Sequence, residues 1–290
     1  INIVSSNERI ANDEELEESF EYSLDFYKDF DKDGHTLSAK ISYEENDENS
    51  VDKIEDYSTI PIVKNKLYDF TTNIDFQNRL LAQVDYVYPI DENTELEFGY
   101  RGRFLDRETD FDVSFLDGGS YQSDPGLSNI FKYTENINSL YTQFGKKFKS
   151  LSVLLGLRYE DSKQEIDQRT TNQFEVKKYS DLFPTVNLAY EFSDLESLTL
   201  GYSKRVRRPR GWDINPFPRR NSITSYRRGN PFLDPTFTSA YEVDYLKRFK
   251  KVTINTALFF RQSDGNVERI QQETGDLVNL IVESGTNNPV

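Results

Sequence analysis

The stretch LLAQVDYVYPIDENTELEFGYRGRF (80–104) reads as two strands joined by a tight turn. In its first arm Leu80, Ala82, Val84, Tyr86 and Tyr88 share one face, opposite Gln83 and Asp85. In its second arm Leu96, Phe98, Tyr100 and Phe104 oppose Glu97, Gly99, Arg101 and Arg103. A period of two marks a strand with unlike faces, because successive side chains point to opposite sides of a sheet. The arms are about 9–11 residues long, the length a tilted strand needs to cross a bilayer. Each apolar face ends in an aromatic, the residue type that collects where membrane meets water.

The same pattern recurs in both directions along the chain. Phe20, Tyr22, Leu24, Phe26 and Phe30 form one apolar face, and Leu37, Ala39, Ile41 and Tyr43 the next. Downstream, Leu155 and Leu157, Leu188, Leu198 and Leu200, and Val243 take outward positions, while Ser152, Asn187, Thr199 and Glu242 alternate with them. Short connections at 28–36, 88–96, 146–152, 191–198 and 247–253 alternate with long polar stretches at 44–77, 106–134, 160–178, 204–236 and from 261 onward. Short turns at one rim and long loops at the other are the layout of an outer-membrane barrel. Two strands per short turn predict an all-β, antiparallel transmembrane β-barrel fold of about ten spanning strands. A soluble antiparallel sheet also alternates. A secreted β-sheet carbohydrate-binding protein is therefore the competing reading.

Composition removes most enzyme classes. The 290 residues contain no Cys, no Met and one His, His35. Thiol nucleophiles, disulfides, Cys-zinc sites and His-centred triads are excluded. DFDKDG (29–34) begins like a calcium loop, but its twelfth position, where a bidentate Glu belongs, is Lys40. The segment reads as a polar turn with His35 solvated in it. No Gly-rich phosphate loop is present, and neither an enzyme activity, a cofactor nor a metal is expected. A chain without Met is also expected to follow a processing site or to belong to a longer protein.

The net charge of −15 is unevenly spread. Residues 1–60 carry a net −13, which argues against nucleic acid as a partner. Residues 203–228 carry a net +8. They lie in YSKRVRRPRGWDINPFPRRNSITSYRRGNPFLDPTFTSAYEVDY (202–245), with five of the ten prolines and the single Trp, Trp212. The prolines forbid a continuous strand or helix. One reading folds this loop into the barrel lumen, with Arg205 and Arg208 paired to the inward carboxylates Glu191, Glu242 and Asp244. Another makes it a ligand-binding loop, with Arg219, Arg220, Arg227 and Arg228 beside Trp212 and Tyr226.

DLFPTVNLAYEFSDLESLTLGYSKRVRRPRGWDINPF (181–217) and GNPFLDPTFTSAYEVDYLKRF (229–249) resemble the outer-membrane β-barrel family of TonB-dependent receptors from Bacteroidota-type bacteria. The elements that carry the resemblance are Phe183–Pro184, Arg205, Arg208–Pro209, Asn215–Pro216, and Gly229–Asn230–Pro231 with Leu233, Pro235 and Tyr241–Glu242. One departure is Thr236, where that family has an acidic residue after the proline. Such receptors are plugged barrels of roughly 22 strands. The resemblance thus implies that residues 1–290 are a portion of one outer-membrane barrel domain, with plug and N-terminal domains lying outside this chain. It further implies uptake of a scarce nutrient without covalent chemistry. The implied partners are outer-membrane lipid, the TonB complex acting through the absent N-terminal part, and a small solute, siderophore, glycan or peptide. A surface lipoprotein is a further partner if the protein docks or assembles rather than transports.

Overall fold

In the computed structural model, which describes residues 6–60, 66–222, 225–273 and 280–288, the hairpin of 80–104 pairs in the expected register. The portions of the expected long connections at 61–65, 223–224 and 274–279 lie outside the described residues. The hairpin belongs to β3 (Leu67–Asp91) and β4 (Thr94–Asp117), with Val84 opposite Tyr100 and Tyr88 opposite Leu96. Before it come β1 (Ser6–Asp29) and β2 (Thr36–Ile60). After it come β5 (Ser120–Ser123), β6 (Asn129–Phe148), β7 (Leu151–Gln168), β8 (Gln173–Ser193) and β9 (Glu196–Arg207). The arginine-rich segment holds α1 (Gly211–Ile214), β10 (Arg219–Ser222) and β11 (Ser225–Arg228). The chain then runs through β12 (Thr236–Arg248), β13 (Thr253–Asp264), β14 (Asn266–Glu273) and β15 (Leu280–Asn288).

Ten of these strands form one antiparallel meander in the order β1-β2-β3-β4-β6-β7-β8-β9-β12-β13, with β5 added to β4. The barrel is not closed, and β1 and β13 are the outer strands of this sheet. A second sheet, β10-β11-β15-β14, is built on the arginine loop. All five expected short turns join strands of the meander at one rim, including the two-residue turn Lys149–Ser150.

Register creates an apolar belt. Tyr88, Leu96, Phe144, Leu155, Val186, Tyr202, Tyr241 and Phe260 stand directly opposite one another from β3 to β13. A parallel row runs Val153, Leu188, Leu200, Val243 and Leu258. Leu155, Leu200, Val243 and Leu258 are exposed on this outer face. Burying such a face in hydrocarbon gains roughly 25 cal/mol per Å². His35 joins the belt's lower edge rather than standing solvated. Its ring stacks on Phe30 at 4.0 Å and its Nε2 lies 2.9 Å from the Tyr86 hydroxyl.

The strands are longer than the bilayer requires. β1 to β4 have 24 or 25 residues, about 80 Å of extended chain. Most of the expected loops at 44–77, 106–134 and 160–178 are therefore strand. Above the belt the inner set that includes Tyr133, Glu135, Gln164 and Ile166 is buried, but polar residues stand on both faces, so no apolar–polar alternation in the sequence announces the ladder. Tight turns close these extensions, as at Gly118–Gly119, where both residues have positive φ (57° and 88°) and glycine carries no Cβ penalty. The β1–β2 hairpin also sets carboxylates directly opposite carboxylates: Asp13 and Asp52, Glu17 and Glu48, Glu18 and Asp47, Glu21 and Glu44.

Candidate functional site

The arginine loop, 208–235, owes its shape to two Asn-Pro-Phe turns. The Asn215 side chain accepts from the Phe217 amide at 3.1 Å, and the Asn230 side chain from the Phe232 amide at 2.9 Å. In each case the intervening proline has no N–H, so the side-chain oxygen takes the next one. The amides of Gly229 and Asn230 donate to the Asn215 and Asp213 carbonyls, both at 2.7 Å, and so satisfy the end of α1. A Cβ on Gly229 would lie 2.6 Å from both carbonyl oxygens. Glycine is required there by space.

The loop is packed against the inner face of the sheet. Ile214 and Leu233 join Phe131, Tyr133 and Ile166 in one buried cluster. Arg208 donates through Nη2 to Glu160 Oε2 and to Ser162 Oγ, each at 2.7 Å. Arg220 donates to Asp69 Oδ2 at 2.6 Å, with Asp124 at 3.8 Å. Lys177 of β8 donates to the Leu233 carbonyl and to Asp234. The loop is thus held to β3, β7 and β8 at once.

Beneath it the inner wall is a grid of cross-strand rows. Arg101, Ser139, Glu160 and Asp181 form one row, Arg103, Ile137, Ser162 and Tyr179 the next. Above them come Leu105, Glu135, Gln164 and Lys177, then Arg107, Tyr133, Ile166 and Glu175. Arg103 pairs with Glu135 at 2.7 Å, and Arg158 with Glu160 at 2.8 Å. Arg107 grips Asp75 through Nε, shared between both carboxylate oxygens at 2.8 and 2.9 Å, and through Nη2 at 2.7 Å. Gln164 donates to both Tyr133 and Glu135. Tyr133 sits above the apolar belt, where burial and the nearby Glu135 carboxylate hold its phenol above its ordinary range. It stays protonated and donates to Glu135 at 3.1 Å.

Between loop and wall lies a cavity of about 570 Å³. Arg101, Arg103, Arg107, Arg158, Arg208 and Arg210 line it, against Glu135 and Glu160, with Trp212 at its edge. Convergent guanidinium groups can bind and orient anions. In the lining Ser139 Oγ donates to Glu160 Oε1 at 3.3 Å, with Glu160 also engaged by Arg158 and Arg208, and among the described residues no group of three or more His, Cys, Asp or Glu could hold a metal ion.

Residues 28–288 match the outer membrane protein beta-barrel family. The chain belongs to that family. It is a protein of the outer membrane. No curated protein sequence matches it. Solved structures share the fold. A copper transporter, OprC, superposes with a TM-score of 0.63 at 11% identity over 92% of this chain and 42% of its own. The unliganded ferric citrate transporter FecA gives 0.51 at 12% identity, over 85% of this chain and 37% of its own. The FpvAI–pyocin S2 complex gives 0.50 at 12% identity, over 94% and 46%. The chain thus spans less than half the length of these structures.

This family member places the expected lumen pairs differently. Arg208 turns to Glu160, whereas Glu191 meets Lys147 at 3.7 Å near the short-turn rim. Glu242 and Asp244 stand opposite Gly201 and Thr199 on β9. Arg205 and Glu242 line one cavity of about 550 Å³ without closing to an ion pair. The reason is distance. Glu191, Glu242 and Asp244 stand level with Ser197, Gly201 and Thr199, six to ten residues below Arg207 where the chain leaves β9 and about 20 Å or more from Arg208 along a strand, and Arg205 on β9 is four residues above the level of Glu242. Of the other expected residues, Trp212 lines the cavity and Arg219 lies 5.0 Å over the Phe111 ring. Arg220 is paired with Asp69 and is in contact with Tyr226, while Arg227 lies 3.7 Å from Asp213. Arg228 is also engaged within the fold.

The wall residues Arg101, Arg103, Arg107, Arg158, Glu135 and Glu160 were not singled out by the sequence, although the period of two puts each group on the inner face. An inner face of a barrel is polar in any case, so their convergence carries no signature in the chain.

Proposed function

We propose that this chain is part of an outer-membrane receptor that imports a scarce solute, energised from the inner membrane through TonB. The observation that supports the reading is the cavity left between an inward-packed loop and a strand-built wall, in a sheet whose fold is shared with larger outer-membrane transporters. Loop and wall bind the solute, and the inner strand faces line its path. No covalent step is involved. Within this reading Trp212 and Arg219, the exposed members of the expected ligand set, contact the solute. Arg220, Tyr226, Arg227 and Arg228 hold the loop in shape.

The test is growth of a deletion strain on iron siderophores, cobalamin, glycans and peptides as limiting nutrients, repeated in cells lacking TonB. Loss of growth on one class in both strains is the expected result. Equal growth of parent and deletion strains on every class would instead favour a docking or assembly role with a surface lipoprotein.

A further inference from the structure

We propose that the cavity under the arginine loop binds a solute carrying at least two oxyanion groups, carboxylate or phosphate, on a ringed body. The inference rests on the receptor reading and adds the chemical class of the solute.

The charge balance of the lining carries it. In a chain of net −15, six guanidinium groups converge on one cavity. Their carboxylate partners are three. Glu135 takes Arg103, Asp75 takes Arg107, and Glu160 is shared by Arg158 and Arg208. Arg101 on the wall and Arg210 on the loop have no carboxylate partner among the described residues. The Nε of Arg208 is buried and has no hydrogen-bond partner. Arg101 and Arg210 are exposed and so open to an incoming anion, while the Arg208 Nε–H, buried without an acceptor, carries a desolvation cost. An anion that bridges wall and loop removes that cost. Arginine suits the task, since its planar fork matches carboxylate and phosphate oxygens two at a time.

Two further features shape the ligand. Trp212 lines the cavity although it is 53% exposed, with Arg210 5.0 Å over its ring. An exposed indole held by a cation offers a flat apolar surface to a ring. A second cavity of about 440 Å³ shares Arg101 and Arg158 and adds Lys204 and Arg205, against Glu97. The positive lining therefore continues toward the short-turn rim, and Arg205 finds a place on that path.

The experiment uses the full-length protein in detergent micelles and isothermal titration calorimetry. The probes are benzene-1,3,5-tricarboxylate, hydroquinone bisphosphate and the neutral benzene-1,3,5-trimethanol. At least one anion binds and the triol does not; which anion binds distinguishes carboxylate from phosphate. Arg101→Ala and Arg210→Ala each weaken binding about tenfold or more, the loss expected for one charge-assisted contact. Arg248→Ala, at the short-turn rim, leaves affinity unchanged. Should the alanine variants fail to fold, Arg101→Gln and Arg210→Gln carry the same test. Binding of neither anion, equal binding of the triol, or wild-type affinity in the Arg101/Arg210 variants overturns the proposal. Solute uptake that persists without anion binding overturns this inference alone. Anion binding without uptake in cells leaves it standing and removes the transport reading.

Discussion

Arg220 reaches Asp69 across 151 residues of chain and binds it at 2.6 Å, joining the loop that leaves β9 to β3 on the far part of the sheet. Asp69 is 3% exposed and its second oxygen has no partner. Removing one member of a buried pair strands the other, at a cost of about 3–5 kcal/mol. Arg220→Met is expected to destabilise the fold by about 3 kcal/mol in urea titrations, and to open the loop to trypsin. Asp69→Leu added to Arg220→Met is expected to restore much of the loss. An Arg220→Met variant as stable as the parent would show that the pair does not hold the loop.

The outer belt predicts a face-dependent cost. Leu200 stands between Leu188 and Val243 on the outer face, and Thr199 stands between Ala189 and Asp244 on the inner one. Leu200→Arg is expected to cost about 2–4 kcal/mol in lipid vesicles, the penalty for charge near the bilayer midplane. Thr199→Arg is expected to cost less. The reverse order would place the sheet one residue out of register.

Gly229 predicts a local failure. Gly229→Ala drives a Cβ into the Asp213 and Asn215 carbonyls, whereas Gly211→Ala meets nothing within 4 Å. The first variant is expected to expose the loop to limited proteolysis with the meander intact. The second is expected to behave as the parent. Equal protease resistance in both would refute the close approach.

Topology is testable by labelling. Asp33 and Ser150 lie in short turns at one rim, and Ser120 follows the Gly118–Gly119 turn at the other. On intact cells, an impermeant thiol reagent is expected to modify Ser120→Cys and to spare Asp33→Cys and Ser150→Cys. Labelling at Ser150→Cys equal to that at Ser120→Cys would reverse the assignment of the rims.

The β3–β4 turn predicts a pH dependence. The Asn93 amide donates to Asp91 at 2.8 Å, and this bond holds the Asp91 carboxyl below its ordinary range. Stability from this group is therefore present above the carboxylate's unfolded range near about 4 and is lost as pH falls through the lowered value. Asp91→Asn is expected to flatten the fall of the urea midpoint below about pH 4. An unchanged pH profile would show that the turn bond contributes nothing.

What could be read from the sequence follows from where the environment imposes a pattern. Lipid on one side and polar lumen on the other force alternation at Leu80–Tyr88 and Leu96–Phe104, so ten strands and five turns were legible. Above the belt, EENDENSVDKIEDYS (44–58) carries polar residues on both faces, Asp56 and Ser58 being buried on one of them, and only backbone pairing reveals it as strand. The loop was legible from its prolines and arginines. Its anchors were not, because Asp69 and Glu160 become special only when β3 and β7 are set in register beneath it.

The opposed carboxylates of the β1–β2 hairpin make ionic strength act in two directions within one molecule. Like charges facing across a ladder repel, so screening by salt firms Asp13 against Asp52 and Glu17 against Glu48. The same salt loosens the exposed halves of the arginine–carboxylate contacts, such as Arg103 with Glu135. Dilution does the opposite: it frays the acidic hairpin while tightening the charged wall. Concentrated brine and fresh water thus favour different ends of this sheet.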